Sequence, residues 1–135
     1  MRKILILFSL LLSLVSVSQK TELQLYKNVD GVKFETKIIE CHGNEILTFK
    51  ISNTNDYSVN IFWSEEFWID GVCKQSGESD EHLKELNLSS RESVEGSCNF
   101  NESFYLGYKI RRGSQIMILT HFDLKNITVS RNTDF

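Results

Sequence analysis

The chain contains no proline, only three cysteines and seven glycines, and no apolar run long enough to cross a bilayer. Each shortage excludes something. Without proline, sheet edges must be protected by charge or by bulges rather than by a residue that cannot donate a ladder hydrogen bond. Three cysteines are too few for a disulfide-built miniprotein, and they form no Cys-x-x-Cys pair of the kind that opens a zinc site. There is no Gly-rich phosphate loop, no Gly-x-Ser-x-Gly and no His-Glu-x-x-His. The only basic pair beyond the amino terminus is Arg111-Arg112, which beside Gly113-Ser114 reads as a solvated turn.

What is present begins with an export signal. Met1-Arg2-Lys3 is followed by an apolar stretch from Ile4 to Val17, and Ser16-Val17-Ser18 offers small residues for cleavage before Gln19. Polar Gln19-Lys20-Thr21-Glu22 follows at once, so residues 1–18 are expected to be removed rather than to anchor the chain. With 18 of 135 residues removed, 117 remain, enough for one domain over 19–135 and its core. Thirteen basic residues then face eighteen acidic ones. A net charge of −5 argues against nucleic acid and anionic lipid, which need a basic patch. The expected localisation is secreted or periplasmic, with no membrane insertion after cleavage.

The rest of the chain alternates with period two. Val32, Phe34 and Ile38 alternate with charged residues, and Cys41-His42-Gly43-Asn44 turns. Leu47, Phe49 and Ile51 form a second strand, and Asn53-Thr54-Asn55-Asp56 reads as a hairpin loop. Val59, Ile61 and Trp63 face inward on a third strand that runs through Phe62, Phe67 and Trp68 to the turn Asp70-Gly71. Residues 74–85 read as a long polar loop, with room for a short helical turn over Glu81–Leu86. Short strands are expected at Leu86–Leu88 and Val94–Cys98, followed by Phe104–Ile110 and a long last strand through Ile116, Ile118, Phe122 and Leu124. Its alternation slips between Leu124 and Ile127, which predicts a β-bulge. About seven strands with a tryptophan on the third are the pattern of an all-β, immunoglobulin-like antiparallel sandwich.

Tyr26-Lys27-Asn28-Val29-Asp30-Gly31-Val32, Glu40-Cys41, Glu95-Gly96-Ser97-Cys98 and Leu124-Lys125-Asn126-Ile127-Thr128-Val129 together resemble a group of small, uncharacterised secreted proteins of Bacteroidota bacteria, Ig-like domains of unknown function. The resemblance implies a compartment and a fold, and no chemistry. Relatives in that group often carry a second cysteine three residues after the position of Cys73; here that residue is Ser76, so the resemblance implies no local Cys-x-x-Cys bridge.

Functional candidates are few. Antiparallel strands would bring Cys41, Cys73 and Cys98 to one pole, with His42 and the loop of His82. In an oxidising compartment, a Cys41–Cys98 disulfide with Cys73 left as a free thiol is the favoured reading, since the strands ending in these two would flank a common neighbour. The alternative is a small metal-binding or thiol-dependent protein using all three cysteines and His42 or His82. Glu65-Glu66 reads as a charged edge, because neighbours on a strand face opposite ways. His121 and Asp123 share a face, close enough for a structural contact, but without a placed nucleophile. Phe62 and Trp68, out of phase with the core, are candidates for a binding surface contacting a protein or a glycan. No cofactor and no catalytic residue are expected, and the function read from these features is that of a secreted, non-catalytic binding or structural module.

Overall fold

The computed structural model describes residues 22–99 and 104–133. The expected export signal and its cleavage point after Ser18 lie outside the described residues. Nine strands follow one another: β1 (Gln24–Val29), β2 (Val32–Cys41), β3 (Asn44–Asn53), β4 (Val59–Ile69), β5 (Val72–Gln75), β6 (Leu83–Leu88), β7 (Ser93–Glu95), β8 (Tyr105–Arg112) and β9 (Gln115–Arg131). A 3₁₀ turn at Asp80–His82 precedes β6, its amino end capped by the Ser79 side chain.

Local chemistry explains the hairpins. Asp30-Gly31, His42-Gly43 and Asp70-Gly71 each place two successive residues at positive φ, 47° and 79°, 52° and 81°, and 49° and 77°. That pair of left-handed residues is the type I′ turn, whose twist matches the strands it joins. Glycine at each second position adopts it without a Cβ penalty. These turns close β1–β2, β2–β3 and β4–β5, and each pairs antiparallel right up to the loop.

All nine strands belong to one antiparallel sheet, with the order β1-β2-β3-β8-β9-β4-β5. The sheet curls into a half-barrel. β8 and then β7 share one edge of β3, while β6 and then β5 share one edge of β4. Strand β9, seventeen residues long, pairs with β8 over Gln115–Ile118 and with β4 over Leu119–Arg131. The concave face buries Val32, Phe34, Phe49, Ile51, Val59, Ile61, Trp63, Leu88 and Leu124. Trp63 is core, its ring edge-on to Phe34 at 6.1 Å.

Two bulges let β9 serve both neighbours. Opposite Trp63 the register moves from Phe62↔Thr128 to Ser64↔Lys125, so Asn126 and Ile127 face one residue, and Asn126 sits at φ 54°. This is the slip legible in the alternation. A second bulge at Thr120 lies between Trp68↔His121 and Ile69↔Leu119, and it reverses the phase expected upstream. Leu119 is buried, while Ile116 and Ile118 stay exposed. The Thr120 hydroxyl accepts from the Gly71 N–H at 3.0 Å and donates to the Trp68 carbonyl at 3.3 Å, tying the bulge to the β4–β5 turn.

Other differences from the sequence reading have plain causes. The described residues form nine strands rather than about seven. β1 was missed because its bulge at Tyr26 and its half-exposed residues blur the alternation. β5 was missed: it follows the Asp70-Gly71 turn and runs into the first two residues of the stretch read as loop, and as an edge strand its residues are largely exposed. Asn53–Asp56 is not a hairpin loop: β3 and β4 are not paired, and the segment carries the chain across the concave core. Buried Asn53 holds that crossing, donating to the carbonyls of Tyr57 at 2.8 Å and Ser89 at 3.0 Å and accepting from the Asn55 N–H at 3.0 Å. Glu65 and Glu66 do not form a charged edge: they pair with Leu124 and Asp123 of β9 on one side and fall in the gap between the β6 and β5 ladders on the other. Glu65 is buried on the concave face, where it accepts from Lys84 Nζ at 2.9 Å and faces the Trp63 indole N–H at 3.5 Å.

Cys41 and Cys98 are joined in a disulfide, with Cα atoms 5.6 Å apart, and Cys73 is a free, exposed cysteine. β2 and β7 flank β3, the geometry the pairing requires. Cys41 shares the convex face with Ile46 and Thr48, both buried although they lie opposite the main core. The segment carrying Cys98 is thereby pinned over this second, smaller buried patch.

Two stability measurements follow. The disulfide bridges 57 positions, so replacing both cysteines by serine is expected to destabilise the fold by about 4 kcal/mol in the chain-entropy model; unchanged denaturant midpoints for the two proteins would count against it. Lys84→Met leaves Glu65 buried without its cation and should cost about 3 kcal/mol, whereas the double change with Glu65→Gln should cost less than the single one. A double-mutant cycle by urea unfolding reads this directly.

Candidate functional site

The convex face of β4 and its neighbours gathers the sequence candidates. Residues opposite one another in antiparallel strands share a face, so each pairing defines a row. Cys73, Trp68 and His121 make one row across β5, β4 and β9. Glu66 and Asp123 form the next, then Leu83, Ser64 and Lys125, then Glu85, Phe62 and Thr128. Phe62 and Trp68 thus lie on one face as their spacing implies, six residues or roughly 20 Å apart. Phe62 is half-buried, and Trp68 is 36% exposed.

Trp68 is held in one orientation. Its indole N–H donates to Glu66 Oε1 at 3.0 Å, and the His121 ring stands edge-on to it at 6.1 Å with the planes at 87°. The same Glu66 carboxylate lies 3.5 Å from His121 Nε2 and is ion-paired with Lys125, whose Nζ also donates to the Ser76 carbonyl at 3.2 Å. The Lys125 hydrogen bond is the main reason that the Glu66 carboxyl titrates below its ordinary value. In return Glu66 holds the Lys125 ammonium above its own.

Asp123 does not pair with His121. It turns to β1, accepting from the Tyr26 hydroxyl at 2.5 Å and from Lys27 Nζ at 2.8 Å. Lys27 also donates to the Leu124 carbonyl at 2.7 Å, and the Tyr26 ring lies 5.0 Å from Phe122. Past Ile118 one side of β9 has no ladder partner, so this clamp satisfies a strand edge that would otherwise be open. Burial pushes the Tyr26 phenol up to about 12, and its hydrogen bond to Asp123 pushes the same way. Partial burial raises the Asp123 carboxyl, but the hydrogen bonds from Lys27 and Tyr26 together outweigh it and leave the group below its ordinary value.

Cys73 and His121 are separated by the whole of β4, about 10 Å, with Trp68 between them, so they form no thiolate–imidazole pair. Two ligands of the alternative metal set, Cys41 and Cys98, are bonded to each other, and among the described residues no group of three or more His, Cys, Asp or Glu side chains could hold a metal ion. No helix among the described residues is long and apolar enough to cross a membrane. Sequence reasoning missed Glu66, Lys125 and the Tyr26–Lys27 clamp as parts of this face. Only the β4–β9 and β1–β9 pairings, between segments far apart in the chain, bring them together.

No protein-family model matches the chain, and neither a curated protein nor a solved structure matches it.

Asp123 supplies a pH test. Its folded-state value is depressed, so its contribution is full above the unfolded carboxylate value of about 4 and is lost as pH falls through the folded one. Asp123→Asn should therefore cost about 1 kcal/mol at pH 7, and the gap to the parent protein should close toward pH 2. A gap independent of pH would show that the clamp does not depend on the carboxylate charge.

Proposed function

We propose that this chain is an exported, non-catalytic binding module of the immunoglobulin-like sandwich class, and that it contacts its ligand through the convex β4–β9 face centred on Trp68. The disulfide fits an oxidising compartment. The curled antiparallel sheet, with Trp63 in its core, fits the wider sandwich architecture. The observation that carries the binding role is Trp68 itself. A large aromatic side chain is left open to solvent yet locked by Glu66 and His121, so it offers rigid area with little rotamer entropy left to lose.

The charges around it cancel locally. Glu66 is matched by Lys125, and Asp123 by Lys27. A face with an aromatic platform, many hydrogen-bonding groups and little net charge suits an uncharged polar ligand, and a glycan fits that description. A protein partner is the second reading, favoured by Leu83, which is 51% exposed on the same face, and by half-buried Phe62. The small metal-binding protein suggested by the three cysteines is not carried forward, because Cys41 and Cys98 are joined to each other.

Screening the protein against immobilised neutral glycans tests the reading. Trp68→Ala is expected to weaken any hit by about tenfold or more, the cost of a lost aromatic hot spot, while stability changes by less than about 1 kcal/mol. Hits that survive the substitution unchanged would move the binding surface elsewhere.

A further inference from the structure

We propose that a second site, sharing no residue with the Trp68 face, binds a free α-amino acid as its zwitterion. It is an open cleft of about 200 Å³ at the end of the sheet where the β2–β3 and β8–β9 turns lie, lined by Glu40, Gly43, Glu45, Lys109, Arg111 and Ile116. That volume is below the roughly 300–1,000 Å³ of sites for drug-sized molecules, so the occupant is small.

Register sets the charges side by side. Glu40 of β2 lies opposite Glu45 of β3, and Glu45 lies opposite Lys109 of β8. Arg111 is two residues further along β8, its backbone N–H held by the Asn44 side chain at 2.8 Å. Two like charges directly opposite one another are unfavourable in a sheet, and an adjacent opposite charge ordinarily relieves them by pairing. Here it does not. None of the ion pairs among the described residues involves Glu40, Glu45, Lys109 or Arg111. Glu45 Oε2 is moreover shielded from solvent with no hydrogen-bond partner, an arrangement that ordinarily costs about 1–3 kcal/mol.

The cleft therefore presents two carboxylates that lack a cation and, one strand away, two cations that lack an anion. A ligand with an ammonium and a carboxylate on one carbon satisfies both at the separation of neighbouring strands, about 5 Å. The ammonium meets the carboxylates of Glu40 and Glu45, which have no cation of their own. The carboxylate meets Lys109 and Arg111, whose guanidinium can hold it with two parallel bonds. Ile116, 42% exposed, gives the wall an apolar surface for the side chain of the amino acid. The basic pair Arg111-Arg112, read from sequence as a plain turn, thus ends a strand whose first arginine faces the cleft; the turn proper is Gly113-Ser114.

Calorimetric titration of the protein with L-leucine, leucinamide and N-acetyl-leucine tests this. Leucine should bind saturably, and each derivative, lacking one charge, should bind about tenfold or more weakly. Glu45→Gln and Lys109→Gln, checked for folding by near-ultraviolet circular dichroism, should each weaken leucine by a similar factor, while Trp68→Ala should leave it unchanged. Absence of saturable leucine binding overturns the proposal, as does equal binding of the three compounds or indifference to both cleft variants. Calcium binding that depends on Glu45 but not on Lys109, with leucine silent, also overturns it, because the cleft would then be a cation site. Loss of leucine binding in Trp68→Ala would refute the independence of the two sites, whereas failure on the glycan screen alone bears only on the Trp68 face.

Discussion

Strand β9 hydrogen-bonds to β8 through its first residues and to β4 through the remainder, so neither half of the curled sheet can shift without breaking a ladder that belongs to the other. Over its seventeen residues β9 is bent at two points, the bulges at Thr120 and Asn126. Each also resets which residues face inward, and burial passes from Leu119 to Leu124 and on to the half-buried Ile127 and Val129. The position of Trp68 beside His121, and of Glu66 beside Lys125, depends on these two resets. Removing one bulge would move every downstream side chain of β9 to the opposite face.

A chain without proline must protect its edges by other means. Here the open side of β9 is covered by Tyr26 and Lys27, which reach from the first strand to Asp123 and the Leu124 carbonyl. The bulge at Tyr26 turns that side chain toward β9, so one irregularity in β1 serves an edge far away in sequence. At the other end of the sheet, β5 and β6 divide the far side of β4 between them, and each is short. Short edges and bulges replace the missing residue.

What was legible in the sequence follows the same physics. Clean alternation at Val32–Ile38 and Val59–Trp63 marked strands because each has one buried and one wetter face; Leu47–Ile51 and Leu106–Ile110 also read as strands, although Thr48 is buried on the opposite face and a register shift against β3 falls inside the latter. The bulge after Leu124 was legible because it falls between two apolar runs. The bulge at Thr120 was not: Ile116 and Ile118 are apolar, so the wrong phase looked as good as the right one. Asn53 has ordinary turn chemistry, and nothing local distinguishes a hairpin from a crossing between layers; that depends on which strands pair. For the same reason Phe62 and Trp68 were recognisable as sharing a face, being on one strand, whereas Glu66, His121 and Lys125 needed the β4–β9 register. Glu65 was misread because its partner, Lys84, reaches it only through the β4–β6 pairing.

Charge accounts for how the two faces differ. On the convex face every acidic group named near Trp68 has a cation of its own, and those pairs hold the indole and the β9 edge in place. In the cleft between the turns, the same residue types stand one strand apart and unpaired. Pairing within the protein leaves little net field at the surface, so contact with the first face rests on shape and hydrogen bonding. Charges kept apart retain their fields in a concave site, where low-dielectric walls strengthen them. One small antiparallel sheet therefore carries a neutral, rigid platform and a polarised cleft, and the difference between them is set by register.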